Sequence, residues 1–281
     1  MAFDSQAAGF SLGTSLIKYR NGIIIGGLIG LMTGGFWGAI FGGLIGGFIS
    51  RAITKVLTGP NSPQATFFKA TFAVMGKVAK ADGLVTENEI QFARDVMARM
   101  SLSEERKKEA IEYFSQGKES DFEISDVLLP LSRIIQSQAS VKIMFVEIQL
   151  QAAMADGEMS PAELSVLKEV CSLLRMSSQE MTALMARMQA QQSFYQHSYQ
   201  QHQHYQQASE ATLLKEAYGI LGVGESDSEA DIKKAYRRLM SQHHPDKLVA
   251  KGLPEEMMQL AKEKTQEIQA AYDRVKNARK A

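Results

Sequence analysis

Cysteine is almost absent from this chain, since Cys171 is the only one among 281 residues. A single cysteine excludes an internal disulfide and a cysteine-based zinc site, which fits a reducing compartment. An excess of charge is absent too, because 31 basic residues balance 31 acidic ones. Without a global field, neither nucleic acid nor another acidic polymer is indicated as the main partner. Any charge-dependent docking must come from a local cluster of side chains.

Charged residues are also missing from a long segment near the start of the chain. None occurs over the 28 positions from Gly22 to Ile49, whereas basic residues stand on both sides of the segment. As a helix at ~1.5 Å per residue this run reaches about 42 Å, against a hydrocarbon core of roughly 30 Å. The pattern predicts a short tail over 1–21 and a single transmembrane helix over 22–50, whose orientation the flanking charges leave open.

Glycine is concentrated in this segment, which holds half of the 22 glycines of the chain. In water each would cost a helix about 1 kcal/mol relative to alanine, but in lipid the backbone must satisfy its own hydrogen bonds. Seven of these glycines recur at every fourth residue: Gly22, Gly26, Gly30, Gly34, Gly38, Gly42 and Gly46. This glycine ridge on one helix face predicts self-association into a homodimer.

A cleaved signal peptide and a flexible glycine linker are the alternatives to a membrane span. The apolar run is longer than a signal-peptide core of about 7–15 residues, and it begins only after a lead of 21 residues. Bulky side chains between the glycines, Trp37 among them, do not suit a solvated linker. The segment therefore favours membrane anchoring.

The middle of the chain, over 64–190, is helical in pattern and contains an internal duplication. Residues 79–90 and 153–164 share the pattern A-x-A-D-G-x-x-[ST]-x-x-E-[IL], displaced by 74 residues. One interpretation is a helix boundary, with Thr86 and Ser160 as caps, Glu89 and Glu163 completing capping boxes, and Pro161 at the first helical position. The other takes four acids as ligands of a hard cation, Asp82, Asp156, Glu89 and Glu163, although the acid-rich EF-hand loop is absent.

The repeated motif, in a segment that is helical throughout, resembles the TerB-like family, which is named after tellurite-resistance proteins. The resemblance covers roughly residues 64–190. It implies a helical bundle with metal or partner binding, and it does not imply an enzyme.

Apolar periodicity is lost between this middle segment and the C-terminal one. Residues 189–207 contain nine glutamines, three tyrosines and the histidines His197, His202 and His204. So polar a composition does not repay the entropy of folding, and it predicts a flexible linker over 191–209. Metal capture by the three histidines is the alternative.

Three apolar stripes at helical spacing follow the linker. They consist of Leu214, Ala217, Tyr218 and Leu221; of Ile232, Ala235, Tyr236, Leu239 and Met240; and of Met258, Ala261, Thr265, Ile268, Tyr272 and Val275. The last two predict an antiparallel helical hairpin whose loop carries His244, Pro245 and Asp246. Proline fixes its own φ and disfavours helix at the residue before it, so the second helix must stop near His243.

Four basic residues lie on the second of these helices, Lys233 with Arg237 and Lys234 with Arg238, each pair four residues apart. With the loop, this basic strip predicts a docking surface for an acidic partner. Catalysis is not predicted, because no nucleophile accompanies His244 as a general base. Nucleic-acid binding is not predicted either, because neighbouring acids balance the strip, and no cofactor is indicated.

The C-terminal motifs, in this order, resemble the J-domain of DnaJ-type co-chaperones over residues 210–281. They are YGILGV at 218–223, IKKAYRRL at 232–239, HPDK at 244–247 and IQAAY at 268–272. The resemblance implies that His244, Pro245 and Asp246, with the adjacent Lys247, engage an Hsp70 and stimulate its ATP hydrolysis. The glycine/phenylalanine-rich segment and the cysteine-rich zinc module of full DnaJ are absent, which does not favour independent holding of unfolded substrates.

A transmembrane span, a TerB-like middle and a C-terminal J-domain form an all-α architecture similar to the DjlA type of membrane-anchored co-chaperone. The resemblance implies localisation to the bacterial inner membrane, with the N-terminus periplasmic and the later domains cytoplasmic, where Hsp70 is found. Its partners would be an Hsp70 of the DnaK type, membrane lipid and a second copy of the chain. The alternative is a membrane signalling or scaffold protein that acts mainly through the TerB-like domain, with Hsp70 recruitment as an accessory.

Overall fold

The structure is a computed structural model that describes residues 24, 28, 62–155, 159–200 and 210–280. Within these residues every regular element is a helix, which confirms the all-α prediction. Their helices include none that is both long enough and apolar enough to cross a membrane. The predicted span over 22–50, with all seven residues of the glycine ridge, lies outside the described residues except for positions 24 and 28.

The described residues between 62 and 200 form a helical bundle. Its helices are α1 Pro63–Ala79, α2 Glu87–Arg99, α3 Glu104–Gly117, α4 Ile124–Ile134, α5 Ala139–Ala153, α6 Pro161–Leu173 and α7 Ser178–Gln200. Helix α5 is central, because it packs against α2, α6 and α7. Aromatic rings fill much of the core, and Phe67 meets Phe145 edge-on at 5.4 Å between ring centroids.

The duplication predicted from the sequence recurs in the helix ends of the bundle. Thr86 and Ser160 each accept the N–H of the third helical residue, whose glutamate bonds back to the cap, so the capping-box interpretation is confirmed. The same offset of 74 residues relates Ser101 to Arg175. These are the two non-glycine residues with positive φ in the described part of the chain, at 49° and 55°. Helices α1–α3 and α5–α7 are therefore two copies of one three-helix unit, joined by α4.

The C-terminal segment adds the helices α8 Glu210–Leu221, α9 Glu229–Gln242, α10 Pro245–Ala250 and α11 Met258–Ala278, with a 3-10 turn at Glu255–Met257 before α11. Both α8 and α9 pack against α11. Gly222, at φ 67°, ends α8 as the sequence predicts, and the N–H of Val223 returns to the carbonyl of Tyr218. Tyr236 of α9 stacks on Tyr272 of α11 at 4.1 Å, within the predicted hairpin.

Helix α7 differs from the linker prediction, because it runs to Gln200 and so includes residues 191–200. Glutamine is a good helix former, and tertiary contacts supply the rest of the stabilisation. Ala190 and Phe194 pack against the apolar core of α8, α9 and α11, and Gln191 is buried. Helix α8 packs along α7, and residues Thr66–Ala281 form one compact unit. Residues 201–209 of the linker lie outside the described part.

Candidate docking site

The His-Pro-Asp segment, residues 244–246, lies where α9 passes into α10. Helix α9 has His243 as its C-cap, so it ends where the proline predicts. His244 is the N-cap of α10, with φ −61° and ψ 122°, and Pro245 occupies the first helical position. His244 and Asp246 are exposed. The fixed φ of the proline thus presents an imidazole and a carboxylate on a short, stiff segment.

The basic strip of α9 is exposed at all four of its positions, Lys233, Lys234, Arg237 and Arg238. The opposite face of the helix is buried through Ile232, Ala235 and Leu239. Lys247, in the first turn of α10, is also exposed, and its Nζ donates to Oγ of Ser241 at 2.7 Å. The predicted docking residues therefore lie together along the exposed side of α9 and the start of α10.

His243 has the opposite environment to its neighbour, because it is fully buried. Its Nδ1 lies 3.0 Å from the carbonyl oxygen of Leu239, one turn earlier in α9. Its Nε2 lies 3.0 Å from Oε2 of Glu147, on α5 of the bundle. A carbonyl oxygen can only accept, so Nδ1 carries a proton and donates it.

Glu147 is buried with His243 and is ionised. Burial by itself raises the pKa of this carboxyl, but the charges of His243 and Lys264 outweigh burial and lower the pKa to about 2. A carboxylate is a hydrogen-bond acceptor, and the ring atom of His243 that faces it is Nε2. The end of α9 is therefore tied to the bundle by a buried histidine–carboxylate contact.

Lys264 of α11 lies close enough to lower the pKa of the Glu147 carboxyl, and it belongs to a second polar cluster beside this pair. Its Nζ donates to the side-chain oxygen of Gln191 on α7 and lies 3.6 Å from Oε2 of Glu267. Gln191 in turn donates to the carboxylate of Glu267. Polar side chains from α5, α7, α9 and α11 thus meet at one place, and each has a partner there. Such a network favours one relative arrangement of the helices that supply it.

Apolar packing fixes the chain on the other side of the His-Pro-Asp segment. Leu248, Leu253 and Met257 are fully buried. They belong to the apolar cluster of the bundle, whereas α8, α9 and the later turns of α11 build a separate cluster. An ion pair between Arg99 and Glu263, at 3.2 Å, lies along the same contact. The segment that carries the docking residues therefore rests on the bundle.

Sequence reasoning missed Glu147 and Lys264, and it gave His243 no role beyond ending a helix. The duplication held a signal for the first of these. The offset of 74 residues aligns Glu147 with Ala73, and both positions are buried. Packing of the three-helix unit accepts alanine there, so a buried glutamate indicates a polar partner outside the unit.

The acids of the repeated motif are used locally where the structure describes them. Oδ1 of Asp82 accepts the N–H of Leu84 at 2.9 Å, and Glu89 closes its capping box. Asp156 lies outside the described residues, and the described ones contain no group of three histidine, cysteine or acidic side chains placed to hold a metal ion. Burial raises the pKa of the Cys171 thiol to about 11, so it stays protonated at neutral pH.

Two family models match the chain. The model described as "Tellurite resistance protein TerB" matches residues 68–186, and the one described as "DnaJ domain" matches residues 216–281. These matches confirm both resemblances seen in the sequence. No solved structure matches the chain.

Several relatives that are similar over most of the chain carry the name co-chaperone protein DjlA. The one from Aliivibrio fischeri is 48% identical over 76% of this chain and 78% of the relative. The one from Shewanella oneidensis is 42% identical over 80% of this chain and 83% of the relative. The one from Coxiella burnetii is 42% identical over 78% of this chain and 80% of the relative. The chain therefore belongs to the DjlA family of DnaJ-type co-chaperones, with a TerB-like domain ahead of its J-domain.

Proposed function

We propose that this co-chaperone docks an Hsp70 of the DnaK type through His244, Pro245 and Asp246 and stimulates hydrolysis of the ATP that the Hsp70 holds. The observation that supports this most directly is the contrast along the chain within the DnaJ match. His244 and Asp246 are exposed, whereas His243 and Leu248 on either side are fully buried. Exposed polar side chains on a segment fixed at both ends are well placed to bind a partner with little loss of entropy.

The basic strip of α9 supplies the electrostatic part of docking in this proposal. Exposed charges of one sign speed the encounter with an acidic surface, and salt screens them over a Debye length of about 8 Å at physiological ionic strength. The co-chaperone itself breaks no bond. The ATP and the groups that hydrolyse it belong to the Hsp70, and docking has only to lower that barrier, by about 1.4 kcal/mol for each tenfold gain in rate.

Single-turnover ATP hydrolysis by a DnaK-type Hsp70, measured with and without the full-length chain, tests this proposal. We expect the rate constant to rise with co-chaperone concentration and to saturate. We expect the half-saturating concentration to increase with salt, because the basic strip is exposed. A rate that stays at the unstimulated value, under conditions where a full DnaJ accelerates the same Hsp70, would rule the proposal out.

We further propose that residues 22–50 anchor the chain in the bacterial inner membrane as a single span, with the N-terminus periplasmic. The uncharged run of 28 residues supports anchoring, and the cytosolic location of bacterial Hsp70 supports the orientation. Protease added to intact spheroplasts should spare the J-domain and should cleave it once the membrane is permeabilised. Cleavage of the J-domain in intact spheroplasts would contradict the orientation.

The glycine ridge would pair two such spans, because small residues let helix backbones approach closely. Replacing Gly30, Gly34 and Gly38 by leucine should lower the crosslinked dimer fraction in membranes and leave insertion intact. A matched control replaces Gly27, Gly35 and Gly43, which lie off the ridge, by leucine. Equal dimer fractions in the two triple variants would show that the ridge is not the interface.

A further inference from the structure

Glu147 belongs to the TerB-like bundle, yet it reaches the residue directly before the His-Pro-Asp segment. We infer that Glu147, acting through His243, is a positioning residue that holds residues 244–246 in the orientation in which they bind Hsp70. This inference rests on the proposed function and adds to it a residue outside the J-domain.

The geometry of His243 makes it a short and rigid connection. One ring nitrogen bonds to Leu239 in its own helix, and the other bonds to Glu147 of the bundle, each at 3.0 Å. The ring cannot rotate without breaking both bonds, and it has no solvent to replace them. One peptide bond further on, His244 begins the docking segment. A movement of the His243 ring therefore also displaces His244, which is the next residue in the chain.

The duplication indicates that this connection is not a requirement of bundle packing. The offset of 74 residues relates Glu147 to Ala73 and also relates Gln191 to Gly117. In the first copy, Ala73 and Gly117 allow α1 and α3 to approach so closely that a Cβ on Gly117 would lie 1.9 Å from the oxygen of Ala73. In the second copy the same two positions carry Glu147 and Gln191, which bind His243 and Lys264. At the two positions where the first copy has the small residues of a close helix crossing, the second copy therefore has polar side chains that contact the J-domain.

A buried ion pair is a poor way to gain stability, since apolar residues of similar volume often stabilise as well or better. What a buried pair does provide is a single preferred arrangement of the parts that it joins. With His243 tied to Glu147 and Leu248 packed in the bundle cluster, residues 244–246 are held from both sides. The bundle is then a platform for the docking segment as well as a separate domain.

Loss of the contact between Glu147 and His243 is expected to affect Hsp70 binding through the fraction of co-chaperone molecules that are in the docking orientation. If the tie between His243 and Glu147 keeps most co-chaperone molecules in the docking orientation, breaking it lowers the fraction of molecules that can bind Hsp70. The apparent dissociation constant of the complex with Hsp70 then rises in inverse proportion to that fraction. The rate at saturating co-chaperone is affected less, because the docked complex is the same. A positioning role therefore predicts a change in the half-saturating concentration rather than in the maximal rate.

The test uses full-length Glu147→Ala and Glu147→Gln in the single-turnover ATPase measurement. Glu147→Ala removes the acceptor of Nε2, and we expect a roughly fivefold higher half-saturating concentration, as for a fivefold smaller competent fraction. Glu147→Gln should stay close to the wild-type value. A glutamine amide can donate to Nε2 of a neutral His243, whose Nδ1 still donates to Leu239, so the tie survives without charge.

A matched control separates positioning from general loss of stability. Leu167→Ala creates a cavity in the bundle core, on α6, and should lower the thermal unfolding temperature without changing the half-saturating concentration. Amide hydrogen exchange gives a readout that does not depend on Hsp70. It should become faster at residues 243–248 in Glu147→Ala and remain slow there in Glu147→Gln and Leu167→Ala.

The outcomes distinguish this inference from the proposed function. If the wild-type chain stimulates the Hsp70 and Glu147→Ala matches it in half-saturating concentration, the positioning role is wrong while docking stands. Faster exchange at residues 243–248 without an ATPase change likewise overturns it, since the tie would then be structural only. If the wild-type chain gives no stimulation, docking fails, and the positioning role fails with it.

Discussion

His244→Gln is expected to return ATP hydrolysis by the Hsp70 to its unstimulated rate while leaving the fold of the co-chaperone intact. His244 is exposed and its side chain makes no hydrogen bond that caps α10. An exposed substitution of this kind changes the free energy of unfolding by about 0.5 kcal/mol or less, so the unfolding temperature should move by no more than roughly 2 °C. The loss would then be a loss of docking chemistry alone.

The adjacent His243→Gln is the matched comparison, because it makes the same chemical change one residue away. His243 is fully buried and paired with the buried Glu147. Removing one partner of a buried ion pair typically costs about 3–5 kcal/mol, because the other charge is left uncompensated. We therefore expect His243→Gln to lower the unfolding temperature clearly, in contrast to His244→Gln.

Stimulation that survives in His244→Gln would contradict docking through the His-Pro-Asp segment. The same variant also separates a co-chaperone from a scaffold that acts mainly through the TerB-like domain. A co-chaperone loses its cellular effect together with Hsp70 stimulation, whereas a scaffold keeps the first after losing the second. Because the unfolding temperature is measured in parallel, loss of protein cannot be mistaken for loss of function.

Local rules were sufficient to predict several of the helix ends. The capping boxes at Thr86 and Ser160, the end of α8 at Gly222 and the end of α9 before Pro245 each depend on a few neighbouring residues. The exposed side of α9 follows from its apolar stripe in the same way. Helix ends and exposed faces that depend on neighbouring residues can therefore be predicted from the sequence.

The contact between the two domains could not be predicted in this way. Glu147 and His243 are 96 residues apart, and neither belongs to a periodic pattern that indicates the other. The extension of α7 over residues 191–200 was not predicted for a related reason. Phe194 and Ala190 are buried by helices that follow later in the chain. Periodicity reports which face of a helix is apolar, and it does not report which distant side chain will meet a polar one.

Gly117→Ala is expected to destabilise the bundle, although alanine is the better helix former. A Cβ at this position would lie 1.9 Å from the carbonyl oxygen of Ala73, and one on Gly76 would lie 2.0 Å from that of Phe114. These are backbone atoms, so no side-chain rotation relieves the contact, and α1 must move away from α3. Overpacking of this kind costs up to about 3 kcal/mol, and the helix propensity of alanine returns only about 1 kcal/mol.

A net loss of about 2 kcal/mol corresponds to an unfolding temperature lower by roughly 4–8 °C for a unit of this size. Circular dichroism at 222 nm measures it, because the described part of the protein is helical. Gly224→Ala is the control: its Cβ would meet nothing nearer than 3.8 Å, so its unfolding temperature should hardly change. If Gly117→Ala and Gly224→Ala had the same unfolding temperature, α1 and α3 would separate without any loss in the free energy of unfolding, and the prediction would be wrong.

The combination of Gly76→Ala with Gly117→Ala tests whether the two glycines act as one crossing. Once either alanine has pushed α1 away from α3, part of the space that the other needs is already open. The two losses should therefore sum to more than the loss in the double variant, as for residues that share one structural response. Strict additivity would mean that each glycine relieves a separate contact, and the two glycines would then not form a single crossing.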